Sequence, residues 1–224
     1  MALPAASASV VAHTPLWRLS SYPGAVFSRN WSGYALASNA GYSNVHASWV
    51  QPAATCDSGE ASEASFWIGM GGVMAPFVEQ IGTESQCSKG TAVYTTWVEL
   101  FPNPVQRLNV PVQPGDTVDA DITFKDGTYT LSLSTPSGSY TTSYSGPGDN
   151  TSAEWIAEAP SRCTPGTCQP LPLTNFGSIT FTGATAAPST GATLQIVMVT
   201  NSATPQAVPG QFSDNSFTVT WLRK

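Results

Sequence analysis

Short alternations of apolar and polar residues recur along the chain between Gly, Pro, Asn and Asp, and each reads as a strand. Thr117-Val118-Asp119-Ala120-Asp121-Ile122 alternates strictly, so one of its faces meets water and the other a core. Asp126-Gly127, between Phe124 and Tyr129, predicts a tight hairpin turn, and Pro136-Ser137-Gly138-Ser139 predicts another turn. The pattern places strands over roughly 31–37, 45–51, 64–70, 77–82, 93–101, 117–124, 128–134, 139–145, 152–158, 177–182, 193–200 and 213–222. No stretch holds a helical period over three turns. Order is expected to begin at Asn30-Trp31-Ser32-Gly33-Tyr34-Ala35. Residues 1–27, rich in Ala, Ser, Pro and Val without a sustained period, read as an N-terminal arm, and a propeptide remnant is one reading of it. Neither a linker nor a fixed repeat interrupts the remainder. Residues 28–224 therefore read as a single all-β domain, one large antiparallel sandwich.

Composition supports this and narrows the partners. Charged residues are 10% of the 224, while Gly (19) and Pro (18) are abundant, which disfavours long helices. The net charge is −6 without a basic patch, so nucleic acid is not an expected partner. No apolar run approaches the ~20 residues of a membrane span. With every carboxyl neutral, the side chains carry at most 8 + 2 positive charges, counting Lys and Arg with the two His. So moderate a self-repulsion, with few ion pairs to lose, is compatible with life in acid.

Four cysteines allow three pairings. Cys163 and Cys168 enclose the turn sequence Thr-Pro-Gly-Thr, which suits a local disulfide and leaves Cys56–Cys87 as the default second bridge. A metal site is disfavoured, because no histidines are spaced to share it. Disulfides imply an oxidising compartment, hence a secreted, extracellular protein. Met1-Ala2-Leu3-Pro4 lacks the charged and apolar regions of a signal peptide, which reads as a chain whose leader has been removed.

The chemistry centres on Ser152-Ala153-Glu154-Trp155-Ile156-Ala157-Glu158-Ala159-Pro160, where two carboxylates sit in an apolar strand. Glu154, Ile156 and Glu158 share one face, on which a carboxyl loses hydration and its pKa rises. Taken alone, the two acids suit a solvent-facing strand equally well. There is no Gly-x-Ser-x-Gly or His-Glu-x-x-His, and the histidines are His13 in the arm and His46 on a strand, the latter read as structural. Asp57-Ser58-Gly59 matches the short signature of aspartic peptidases, but that chemistry needs a second copy, which is missing. A jelly-roll glycosidase or lectin-like protein binding glycans is the rival class, since seven tryptophans suit a sugar platform. Glu154 and Glu158, about 13 Å apart along a strand, are too distant to act as its acid pair. A partner such as Glu99 or Glu79 would have to cross from another strand. Gln80, in Phe77-Val78-Glu79-Gln80-Ile81-Gly82, is an amide in an apolar context and must find partners. Trp97, Glu99 and Phe101 share a face, and Trp67 lies in Ser65-Phe66-Trp67-Ile68-Gly69. An amide donor, an acidic group and aromatic walls suit water-mediated acyl hydrolysis.

In this order, Asn30-Trp31-Ser32-Gly33, Trp67-Ile68-Gly69, Gln80-Ile81-Gly82, Trp97-Val98-Glu99-Leu100-Phe101-Pro102 and Ala153-Glu154-Trp155-Ile156-Ala157-Glu158 resemble the glutamic peptidases, or eqolisins. The resemblance spans about 30–222. It implies a concanavalin A-like (jelly-roll) sandwich of two antiparallel sheets, each of about seven strands, and an acid endopeptidase without metal or cofactor. It further implies a catalytic dyad of Gln80 and Glu158, with Trp67, Trp97, Glu99 and, in a supporting role, Glu154 lining the substrate cleft. The expected partners are polypeptide substrates, and the chain is expected to work as a monomer. Two features depart from the family pattern. Gly71 stands where fungal members usually carry Asp, and Cys87 follows Gln80 where the family has a Cys before it.

Overall fold

The computed structural model describes residues 10–18, 24–74, 77–164 and 167–224; of the arm, 1–9 (including Met1-Ala2-Leu3-Pro4) and 19–23 lie outside the described residues, as does the Pro165-Gly166 turn. Among the described residues there are strands and no helix. They are β1 (Val10–Ala12), β2 (Trp17–Arg18), β3 (Ala25–Ser28), β4 (Trp31–Ala37), β5 (Asn44–Val50), β6 (Ser62–Gly71), β7 (Val78–Ser88), β8 (Thr91–Phe101), β9 (Gln106–Arg107), β10 (Thr117–Lys125), β11 (Thr128–Thr135) and β12 (Gly138–Ser145). The chain continues through β13 (Ser152–Glu158), β14 (Ser161–Thr164), β15 (Thr167–Pro170), β16 (Ser178–Ala187), β17 (Ala192–Val199), β18 (Pro205–Pro209) and β19 (Phe217–Trp221).

The local rules hold where the pattern was strict. β10 and β11 pair from Asp119↔Ser134 to Lys125↔Thr128, closing on Asp126 and Gly127. Both turn residues have positive φ, 50° and 77°, as the mirror-image hairpin turn requires. Hydrogen bonding follows one continuous path, β12-β11-β10-β5-β16-β19-β18-β17-β4-β13-β6-β7-β8-β9, instead of two separate sheets, because β17, β18 and β19 carry the ladder from one layer to the other. The path folds over so that β5, β10 and β11 lie against β6, β7 and β13. Between the layers lies the main core, including Trp49, Phe66, Ile68, Met70, Ile122, Leu131, Trp155 and Phe181.

The layer β4-β13-β6-β7-β8 buries its other face too. There Trp31, Ala35, Trp67, Val78, Trp97, Ile156 and Ile196 form a second apolar cluster. That explains why every residue of β13 is buried, acids included.

Order begins before Asn30, against expectation. β3 pairs in parallel with β17, and β2 pairs with β3. β1 joins β14 and β15 in a separate three-stranded sheet. The described part of the arm is thus bound by backbone bonds contributed from elsewhere in the fold, which its own sequence pattern does not encode.

The disulfides are Cys56–Cys87 and Cys163–Cys168. The first closes 31 residues of chain, anchoring the loop before β6 to the end of β7. Chain-entropy arguments put its worth at about 3–4 kcal/mol. A Cys56→Ser/Cys87→Ser variant is expected to unfold at lower urea concentration and with a somewhat higher m-value, since the uncross-linked unfolded chain exposes more surface, read by tryptophan fluorescence. Losing the five-residue Cys163–Cys168 loop should cost less.

Candidate active site

The site forms on the outer face of β13, β6, β7 and β8, in three cross-strand rows. Glu154, Gly69, Gln80 and Glu99 are lateral neighbours; so are Ile156, Trp67, Gly82 and Trp97; so are Glu158, Ser65, Glu84 and Thr95. Pairing across a ladder puts side chains on one face, so these rows share a surface. Glycine is required within them. A Cβ at Gly69 would lie 2.6 Å from Trp67 Cζ3, and one at Gly82 would lie 2.5 Å from Trp67 Cβ. The two gaps let the Trp67 indole lie along the sheet, with its N–H aimed at Glu158.

Glu158 is fully buried. Its Oε2 accepts from Trp67 Nε1 at 2.8 Å and pairs with His13 Nδ1 at 3.0 Å. Its Oε1 accepts from Asn30 Nδ2 at 3.0 Å. Burial raises its pKa, while His13 and the indole N–H groups of Trp67 and Trp31 pull it back. Gln80, also fully buried, donates both amide hydrogens from Nε2, to the His13 carbonyl at 2.8 Å and to Glu99 Oε2 at 2.8 Å. With an acceptor on each side of Nε2, the reversed amide would set oxygen against oxygen, so the orientation is determined. Its Oε1 has no hydrogen-bond partner.

Glu99 Oε2 also accepts from the His13 backbone N–H at 3.2 Å. Burial pushes this carboxyl up to about 7, against the pull of the His13 charge. His13 itself is raised to about 9: burial opposes its charge, but the Glu158 carboxylate overcomes it. Its ring stacks on Trp97 at 4.0 Å between centroids, with planes 4° apart.

The structure thus brings Gln80, Glu158, Trp67, Trp97 and Glu99 together. Glu154 shares the face and is fully buried, yet its carboxyl oxygens make no hydrogen bond to this group. Burial holds its pKa well above the ordinary carboxylate range. Glu79 points to the opposite face from Gln80 and is raised by burial to about 8.

His13 and Asn30 were not singled out as members of the site. Asn30 is also a glycosylation sequon with Trp31 and Ser32, but it is fully buried, with its side chain spent on Glu158, Thr14 O and Leu16 N. A signal for Asn30 existed in its Asn-Trp-Ser-Gly block; for His13 only its being a lone histidine in an apolar arm.

Other constellations carry no chemistry. His46 Nε2 and Ser48 Oγ both bond to Asp119, so the imidazole does not engage the hydroxyl as a triad needs. Asp57 pairs with Lys224 at the surface. Among the described residues no group of three or more His, Cys, Asp or Glu is placed to hold a metal ion. Five tryptophans, Trp31, Trp49, Trp67, Trp97 and Trp155, are fully buried, which leaves little of a sugar platform.

Known proteins share this architecture. The chain is 25% identical over 230 residues to Aspergillopepsin-2 of Aspergillus niger, covering 88% of this chain and 78% of that one. Scytalido-glutamic peptidase, solved with a transition state analog inhibitor, superposes with a TM-score of 0.75 at 19% identity, over 87% of this chain and 98% of that one. SCP-B, an eqolisin in complex with the tripeptide Ala-Ile-His, gives 0.71 at 20% identity, over 87% and 98%. The model of the Peptidase A4 family matches residues 29–221, nearly all of the sandwich and every residue of the Gln80–Glu158 face, and the chain belongs to that family, the eqolisins.

Proposed function

We propose that the chain is a secreted acid endopeptidase whose dyad is Gln80 and Glu158, working without metal or cofactor. Membership of a peptidase family makes peptide-bond hydrolysis the activity class. One observation carries the finer reading: the Gln80 amide donates to a peptide carbonyl, that of His13, while Glu158 reaches the same residue from the other side. A substrate carbonyl in that position would meet an amide donor and a carboxylate together.

In the proposed reaction Glu158, as carboxylate, takes a proton from water, and the hydroxide oxygen bonds to the carbonyl carbon. The Gln80 N–H stabilises the oxyanion, while Gln80 Oε1 can accept from the water and orient it. Glu158 returns the proton to the amide nitrogen, the C–N bond breaks, and a carboxylic acid and an amine leave. Glu99 acts by holding the Gln80 amide in place. It does so whether charged or neutral, because Oε2 accepts in both forms.

The test is digestion of denatured casein at about pH 3–4, with products mapped by mass spectrometry, with and without EDTA. Internal cleavage, unchanged by the chelator, is expected. Activity lost in EDTA and restored by zinc would move the chemistry to a metal; no cleavage at any pH, with glycan binding instead, would favour the lectin-like reading.

A further inference from the structure

We propose that Asn30 is a positioning residue for Glu158: its amide anchors Oε1, leaves Oε2 as the atom that takes the proton from water, and keeps the carboxyl ionised further into acid than burial alone would allow. This rests on the peptidase reading for what the proton does, but not for the hold on the carboxyl, which titration measures by itself.

Backbone pairing sets Asn30 beside Glu158. Trp31 is the lateral partner of Glu158 across β4 and β13, and one residue further out the Ala159 N–H donates to Asn30 O at 2.9 Å. The Asn30 side chain, fully buried, then donates from Nδ2 to Glu158 Oε1 at 3.0 Å. Ser28, also fully buried, fixes the amide from behind. Its Oγ accepts from the backbone N–H groups of Asn30 at 3.3 Å and Trp31 at 3.1 Å. Its one proton goes to Asn30 Oδ1 at 3.0 Å in preference to Leu16 O at 3.5 Å. Both Oγ lone pairs are thus taken. A reversed amide would turn Oδ1 onto the Glu158 carboxylate and its N–H groups onto a hydroxyl with no lone pair left, so the orientation is determined. The second Nδ2 hydrogen goes to Thr14 O, and Oδ1 also accepts from the Leu16 N–H, each at 2.8 Å.

The two carboxyl oxygens therefore differ. Oε1 faces the start of β4, at an amide that Ser28 holds. Oε2 accepts from Trp67 Nε1 and turns its remaining lone pair to the side of the Gln80 amide, where His13 Nδ1 meets it at 3.0 Å and the His13 carbonyl meets Gln80 Nε2. A water whose O–H bond breaks as an Oε2–H bond forms is on the side of the carbonyl it must attack. A water at Oε1 is not. Asparagine suits the anchor, because an amide donates at any pH and adds no charge of its own.

The same bond bears on pH. Glu158 acts as a base only while ionised, and burial pushes its pKa up. A hydrogen bond given to the charged form pulls a pKa down, so an acid-working base needs such donors. Removing one charge-assisted bond should move the carboxyl up by about one to two pH units. Activity is then lost at the acid end and regained as pH rises. The titratable groups facing Glu158 are His13 of the arm, Glu99 on β8 and, in its own row, Glu84 on β7, with Glu63 of β6 and Arg107 of β9 beyond Glu84. On the other flank β4 carries no charged residue. A substitution at Asn30 leaves all of these in place, so a shift reports the lost amide.

The experiment follows kcat against pH, melting temperature and the Glu158 titration in wild type, Asn30→Ala and Ser28→Ala. The acid limb of Asn30→Ala should lie about one to two units higher than that of wild type. Its deficit should therefore be about ten- to a hundredfold at the acid end and shrink as pH rises. Ser28→Ala, which frees the amide without removing it, should shift the limb the same way by less. A deficit equal at every pH, following the melting temperature alone, would mean that Asn30 only holds the fold, and would overturn the proposal. Asn30→Leu, which keeps the volume without a donor, serves if the alanine variant fails to fold. Carbon-13 NMR of the glutamate carboxyls reads the hold directly, with the Glu158 signal assigned by its absence from Glu158→Gln. Its midpoint should rise by the same one to two units or so in the Asn30 variant, whether or not either protein cleaves. An unchanged midpoint sinks the anchor; a shifted midpoint in a chain that cleaves nothing at any pH sinks only the peptidase reading.

Discussion

Glu158→Gln is expected to lower kcat/KM for acid proteolysis by about 10²–10⁴-fold, the usual worth of a positioned general base. The substitution keeps length and shape but removes the atom pair that can hold a proton. It also reveals how tightly the carboxylate is built in. Oε1 faces the Asn30 amide and Oε2 faces the Trp67 indole, both donors. Glutamine can offer an acceptor to only one of them, so one N–H must face another. That conflict costs about 1–3 kcal/mol, enough to lower the melting temperature without unfolding the chain. Loss of activity therefore has to be compared with a measured Tm. A folded Glu158→Gln protein retaining activity within about tenfold of wild type would remove Glu158 from the chemistry. The same variant leaves His13 without its nearest counter-charge, so the His13 imidazole signal should move at neutral pH even though no proteolysis is seen.

The extent to which this site was legible depends on which interactions are local. Strands such as Trp31–Ala37, Ser152–Glu158 and Thr128–Thr135 were legible, because alternation and a turn residue are properties of neighbouring positions. β7 runs well past the expected 77–82, to Ser88. Its polar Thr83, Glu84, Ser85 and Gln86 carry no apolar alternation, yet Thr83 and Ser85 are buried under the other layer, bonded by Trp49 Nε1 and by Gln51 Nε2. β18, with prolines at 205 and 209 at its two ends, was missed, and so were β14 and β15, the short strands that flank the Thr-Pro-Gly-Thr turn. Glu154, Ile156 and Glu158 sharing a face follows from the strand period alone. That Glu99 lies beside Gln80 does not, since register is set by partners nineteen residues away. His13 lay furthest from reach. Its segment has no period of its own, and its conformation is imposed by Ser161–Cys163, Asn30 and Trp97.

Gln80→Ala should cost about 10²–10³-fold, roughly 3–4 kcal/mol of transition-state stabilisation, and the loss should fall on kcat more than on KM. The Gln80 N–H contributes most when the carbonyl oxygen carries charge, which happens after binding. Alanine also takes away one of the two donors on Glu99 Oε2. The Gln80 bond is one of the influences that lower the Glu99 pKa, so without it Glu99 should rise further above about 7 and stay neutral throughout the acid range. The Ala variant should therefore be impaired by the same factor at every acid pH. Gln80→Glu separates an oxyanion donor from a mere spacer. Protonated, the new carboxyl can still donate one hydrogen bond, so part of the activity should survive at low pH. Ionised, it opposes the oxyanion, and activity should fall steeply as pH rises through its pKa, which burial sets above 4.5. The measurement is kcat and KM for both variants on one peptide from about pH 2.5 to 6. A Glu variant that tracks the Ala variant at constant ratio across that range would mean that position 80 only shapes the cleft, and the oxyanion would need another donor.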